Sequence, residues 1–135
     1  MSKRAFQRVI EAILKDDNRY AVGAYVFVRM GLDYTVKELG KDPSKQGAAS
    51  SHVTAVELLE GLRKFGLETF GPMMSVLLKE WNVKSCSDFG QIVFNMIKVG
   101  EMSKTPEDKI EDFDGAYDFY EAFERPFLPK SKGGI

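Results

Sequence analysis

The chain has 135 residues, of which 44% are apolar and 12% aromatic, and its 19 basic and 20 acidic side chains give a formal net charge of −1. That length fits one domain, and the aromatic content excludes an intrinsically disordered chain. The balance of charges excludes a long-range field of one sign.

The compartment is indicated by the single cysteine, Cys86. One thiol cannot form an intramolecular disulfide, which favours a reducing compartment. Residues 6–15 interleave charged with apolar side chains, unlike a signal peptide, and no stretch approaches the roughly 18 apolar residues of a membrane span. The sequence therefore predicts a soluble, cytoplasmic protein without membrane contact.

Two helices are predicted before the first long loop. The apolar positions of the first follow the spacing i, i+3, i+4, i+7, i+8 of one helix face. These positions are Phe6, Val9, Ile10, Ile13 and Leu14. Residues 16–18 break this helix, and a second is predicted from about Arg19 to Leu39, with Gly40 as its stop. Residues 41–51 are polar and without periodicity, which predicts a loop.

Three further helices are predicted in the middle of the chain. Thr54 and Glu57 have the spacing of a capping box, which predicts that a helix begins there and ends at Gly71. Residues 72–81 predict a short helix that is apolar all round and buried. A fifth helix is expected over about 88–99, closed by Gly100.

The C-terminal part changes in character. Residues 101–124 hold nine acidic residues and two lysines, interleaved with aromatics. Residues 101–113 are compatible with either a small β-hairpin or a helical turn, and 129–135 predict a disordered tail. The fold class that follows is mostly α: a compact bundle of about five helices in a single domain over residues 1–128.

Candidate catalytic and metal-binding residues are few. His52 is the only histidine and Cys86 the only thiol, which excludes a His/Cys zinc site within one chain. A Cys–His pair is the one nucleophilic arrangement available, and nothing in the sequence places the two together. The acidic run 107–118 does not match a calcium-binding loop, and no glycine-rich phosphate loop occurs. We therefore expect no enzymatic activity, no metal and no cofactor.

The order of elements over residues 76–104, a helix, a short turn, a helix and a closing Gly100, is similar to that of a winged-helix module, whose wing would lie at 101–113. The recognition helix of such a module would expose Asp88, Gln91, Asn95 and Lys98, and the wing would be acidic. Phosphate contact needs lysine and arginine, so this arrangement disfavours duplex binding. A nucleic-acid-binding alternative would instead use basic residues near the N-terminus. These are Lys3, Arg4, Arg8 and Arg19.

The acidic and aromatic C-terminal segment has two interpretations. It is either a closing element packed on the core or a docking surface for a protein partner, with aromatic anchors and an acidic rim. The residues concerned are Asp112, Phe113, Tyr117, Asp118, Phe119, Tyr120 and Phe123. The functional prediction is a non-enzymatic interaction or adaptor module that uses this surface. Self-association stays open.

Several stretches resemble a family of short, uncharacterised bacterial proteins associated with planctomycetes and verrucomicrobia. They lie at 57–63, 70–72, 88–95, 103–108 and 117–119. The resemblance covers about residues 4–127, and 88–95 and 103–108 are its most specific parts. The family pattern has Glu where Gln91 stands, and Ser-Gly-Gln near residues 54–56. The resemblance implies a stand-alone bacterial cytoplasmic protein and supplies no substrate, cofactor or catalytic residue.

Overall fold

A computed structural model describes residues 3–40, 52–104 and 108–129. Within these ranges the chain forms five α-helices followed by short helical turns, which confirms the predicted mostly helical bundle. The α-helices are α1 (Lys3–Asp16), α2 (Val22–Glu38), α3 (Ala55–Phe70), α4 (Met73–Glu80) and α5 (Cys86–Lys98). A 3₁₀ turn (Ile110–Phe113), a π-helical turn (Tyr120–Glu124) and a second 3₁₀ turn (Arg125–Phe127) complete it. None of the described helices has the length and apolar character to cross a membrane.

The predicted start and stop signals of α3 are confirmed. The backbone N–H of Glu57 donates to Thr54 Oγ1 (3.1 Å), and that of Thr54 donates to Glu57 Oε1 (3.0 Å). This reciprocal pair satisfies two donors that the first turn of a helix leaves without partners. At the other end Gly71 has φ of 52°, a left-handed conformation that glycine adopts without a steric penalty.

The centre of the bundle is the contact between α2 and α3. Gly61 of α3 lies against Thr35 of α2, and Gly31 of α2 lies against Leu62 of α3. Because these glycines have no side chain, the two backbones approach closely. The largest fully buried side chains of the described residues come from α1, α2, α3, α5 and the π-helical turn, and include Tyr25, Phe89, Phe123, Ile10, Leu59 and Leu62.

The fourth helix departs from the prediction that it is buried all round. Met74 and Leu78 are fully buried, whereas Met73 and Val76 are about half exposed. With only eight residues, α4 presents one face to α3 and the π-helical turn and leaves the other at the surface. Apolar composition alone did not reveal this, because it gives the number of apolar residues but not the number of neighbours.

A buried polar network joins the turn between α1 and α2 to α5. The Asn95 side-chain amide donates to Asp17 Oδ2 and to the Tyr25 hydroxyl, both at 3.0 Å. Asp17 also accepts two side-chain hydrogen bonds from Arg19, of 2.9 and 2.7 Å. The Arg19 hydrogen bonds, helped by Asn95, hold the pKa of Asp17 well below its usual range against the opposing effect of burial. Asn95 is therefore a core residue, and its predicted exposure on a recognition helix is wrong.

The described residues of 101–113 contain no strand, so the hairpin alternative and the wing are not found there. Ile110–Phe113 forms a 3₁₀ turn instead, as in the helical alternative. The reason is packing: Phe113 is buried directly over Gly90, which draws the chain back onto α5. The predicted loop at 41–51, and all but residue 129 of the predicted tail, lie outside the described residues.

Candidate binding sites

The predicted C-terminal docking surface is largely a closing element of the core. Phe113 and Phe123 are buried, and Phe119 is half-buried, with its ring 5.5 Å from that of Phe89 and 5.3 Å from that of Phe123. Phe113 and Phe123 therefore cannot serve as surface anchors. The physical reason is packing: Phe113 lies against Gly90 and Phe94, and Phe123 packs on Phe119, which in turn packs on Phe89.

Tyr117 fastens the same segment to two helices. Its hydroxyl donates to the backbone carbonyl of Leu59 (2.8 Å), and its own carbonyl accepts a hydrogen bond from Cys86 Sγ (3.5 Å). Burial raises the pKa of Tyr117, so the hydroxyl stays protonated and remains a donor at any physiological pH. Tyr117 is thus an anchor within the fold.

Other residues near the C-terminus do face the surface. Asp112, Asp118 and Tyr120 are exposed, as the docking interpretation requires. Large apolar side chains that are 43–53% exposed also occur on α4, in the π-helical turn and after it. We call these the C-terminal patch: Met73, Val76, Tyr120, Phe127 and Leu128. Lys79 Nζ lies 3.7 Å from Glu124 Oε2, which brings α4 and the π-helical turn together.

The basic residues of the nucleic-acid alternative occupy two different settings. Arg4 and Arg8 are exposed on α1, four positions apart and therefore on one face. Arg19 lies in the turn after α1, where its guanidinium forms a two-pronged ion pair with Asp17. The side chain of Lys3 lies outside the described part of the chain. The guanidinium of Arg19 therefore has a structural partner, whereas Arg4 and Arg8 are on an exposed helix face.

Cys86 and His52 have different partners. Cys86 is buried, and burial raises the pKa of its thiol, which favours the unreactive protonated form. His52 Nε2 lies 2.9 Å from Asp108 Oδ2, an ion pair when the imidazole is protonated. Within residues 3–40, 52–104 and 108–129, no group of histidine, cysteine and carboxylate side chains is arranged to hold a metal ion.

A cleft that the sequence did not suggest lies between α2, the start of α3, α5 and the described residues of 101–113. It has a volume of about 660 Å³, and we call it the α2–α5 cleft. Volumes of roughly 300–1,000 Å³ are typical of small-molecule sites. Its apolar lining includes Leu32, Val36, Leu58, Val93, Phe94 and Ile97.

The charged lining of the cleft includes one deeply placed carboxylate. The side chain of Glu101 is only 8% exposed, and the nearest charged group, Arg29 Nε, is 3.9 Å from its Oε2. Arg29 is shared, because its Nη1 also donates to Asp33 Oδ1 (2.8 Å). Lys37, Lys104 and Lys109 line the same cleft but are exposed at its rim.

Comparison with protein-family models, with curated proteins and with solved structures gave no match to this chain. The resemblance to a bacterial family stays a prediction.

Proposed function

We propose that this protein is a non-enzymatic interaction or adaptor module of the bacterial cytoplasm, and that its protein partner binds the C-terminal patch. The observation that carries the proposal is the exposure of five large apolar side chains on α4 and the C-terminal turns. Scattered single apolar residues are ordinary on a protein surface, whereas a group of them is typical of an interaction site. The lone thiol of Cys86 supports a reducing compartment.

Tyr120 is the member of the patch best suited to be an anchor. Aromatic side chains with a polar tip contribute a disproportionate share of binding energy at interfaces. Tyr120 is 47% exposed, while its neighbours Phe119 and Phe123 hold the turn on the core. A partner would therefore meet a tyrosine on a supported backbone, which lowers the entropy cost of binding.

The charges around the patch favour a basic partner. Asp118 and Glu121 are exposed beside Tyr120, and Arg125 is already engaged by Glu121 at 2.7 Å. Complementary charge accelerates association and selects orientation more than it adds affinity. We expect the partner to present an apolar face flanked by lysine or arginine.

The test is recovery of binding partners by a tagged protein from its own cell lysate, at low and high salt, with and without nuclease. The patch variant carries Tyr120→Ser, Phe127→Ser and Leu128→Ser. The matched control carries Val56→Ser and Leu39→Ser, which are also exposed apolar residues but lie outside the patch. We expect a protein that the wild type and the control recover in stoichiometric amount and that the patch variant loses.

Two results would overturn the proposal. Equal recovery by the patch variant and the control would remove the patch from consideration. Recovery that nuclease or salt abolishes, and that Arg4→Ala with Arg8→Ala also abolishes, would favour the nucleic-acid alternative, because phosphate contacts weaken steeply with salt.

A further inference from the structure

The position of Glu101 is set by the backbone rather than by its side chain. Gly100 has φ of 81° and ends α5, with its N–H donating to Ile97 O (3.0 Å) and the N–H of Glu101 donating to Met96 O (2.9 Å). These two hydrogen bonds form a Schellman motif. The motif fixes the backbone of Glu101 at the end of α5, where its side chain lines the α2–α5 cleft.

The carboxylate of Glu101 is poorly compensated for a buried charge. Its side chain is 8% exposed, and among the described residues no donor lies within hydrogen-bonding distance of its oxygens. Arg29 Nε at 3.9 Å is beyond that distance, and Nη1 of the same guanidinium donates to Asp33. A buried ion is tolerated at low cost only when good geometry and hydrogen bonds offset its desolvation. Glu101 is therefore a preorganised carboxylate whose described ion-pair partner is loose.

The remainder of the cleft determines what kind of donor fits. The floor is apolar, formed by side chains such as Val36, Phe94 and Ile97, and suits a compact aromatic or aliphatic body. The least exposed charge is the carboxylate of Glu101, and the guanidinium of Arg29 beside it is already engaged by Asp33. The lysines are exposed at the rim, where solvent screens them. A cationic or N–H group would consequently be favoured at the bottom of the cleft, and an anionic group would be repelled there.

We propose that the α2–α5 cleft is a small-molecule site that binds an amine: one ammonium group on Glu101, and an apolar body on the floor formed by α2 and α5. This site is separate from the C-terminal patch, and it stands whether or not a protein binds there. A charge-assisted hydrogen bond from the ligand would be shorter and better directed than the contact of Glu101 with Arg29.

The experiment is isothermal titration calorimetry of the full-length chain at neutral pH, where the probe amines are protonated. The probes are 2-phenylethylamine, tryptamine and hexylamine, with 3-phenylpropanoate as the anion of similar size and shape. The variants are Glu101→Gln, which keeps the shape and removes the charge, and Glu11→Gln, which makes the same change at an exposed position on α1 outside the cleft.

We expect at least one amine to bind the wild type and Glu11→Gln with equal affinity, and to bind Glu101→Gln about tenfold or more weakly, as for loss of a hydrogen bond to a charged group. We expect no saturable binding of 3-phenylpropanoate. Failure of all three amines to bind the wild type, equal binding to Glu101→Gln, or comparable binding of 3-phenylpropanoate would each overturn the proposal.

Thermal unfolding of the same variants separates a binding role from a structural one. Because Glu101 is a buried and poorly paired charge, Glu101→Gln should unfold at the same temperature as the wild type or higher. A clear fall in the Tm of Glu101→Gln would mean that the ion pair of Glu101 with Arg29 stabilises the fold. Glu101 would then have a structural role, and the proposed ligand site would be refuted.

Discussion

Replacing Gly61 with alanine would place a methyl group inside the contact between α2 and α3. The new Cβ would lie 1.8 Å from Thr35 Oγ1, 2.8 Å from Thr35 Cβ and 3.0 Å from Thr35 Cγ2. Rotation of Thr35 can move its hydroxyl but not its Cβ. Since carbon atoms in contact lie about 3.5–4.0 Å apart, the helices would have to separate locally by about 1 Å.

Two opposing effects set the change in the free energy of unfolding for Gly61→Ala. Overpacking of a core costs about 1–3 kcal/mol, and alanine regains about 1 kcal/mol over glycine inside a helix. We expect Gly61→Ala to lower the free energy of unfolding by about 1–2 kcal/mol, measured by urea denaturation followed by circular dichroism. Thr35→Ala removes two of the three close atoms, so the double variant should recover at least half of that loss. A single variant as stable as the wild type, or a double variant with simply additive losses, would refute this account.

Two further predictions concern titratable groups. The pKa of Asp17 is held below its unfolded value by hydrogen bonds from Arg19 and Asn95, so its stabilising effect is complete above about pH 4 and is lost as the pH falls towards the folded pKa. Asp17→Asn should therefore lower the free energy of unfolding by about 1–3 kcal/mol at pH 7. It should also weaken the loss of stability on acidification, measured as urea midpoints from pH 7 to pH 2.5. A variant whose urea midpoint falls with pH as steeply as that of the wild type would contradict this prediction. Cys86 should react with a thiol reagent at pH 8 only after denaturant is added, because the thiol is buried and its pKa is raised. Rapid labelling of the native protein would contradict this, and would show that the segment around Tyr117, whose carbonyl accepts the Cys86 hydrogen bond, opens.

The helices were predictable because their signals are local. Apolar spacing located α1, and the Thr54–Glu57 capping box located the start of α3. The start of α2 was placed three residues too early, at Arg19 instead of Val22. The turn before it is held by side chains rather than by helical hydrogen bonds: Arg19 N donates to Asp17 Oδ1. Such a contact depends on rotamers that the residue pattern does not specify.

The candidate sites were less accessible to sequence reasoning, because they depend on long-range contacts. Glu101 and Arg29 are 72 positions apart, and neither belongs to a motif. The alternation of acidic and aromatic residues after position 110 could not separate Phe123, which is buried, from Tyr120, which is exposed. Gly31 and Gly61 were visible within predicted helices, but their close contacts with Leu62 and Thr35 were not.

The packing of the C-terminal segment has a consequence for the order of events during synthesis. Phe89 lies in a helix that the ribosome makes early. The ring of Phe119 that packs on it, and the ring of Phe123 that packs on Phe119, come about 30 residues later. Until those residues emerge, the nascent bundle carries an uncovered aromatic face. A chain stalled before that point would present the same face to chaperones, and completion of the segment would then act as the step that commits the molecule to its native state.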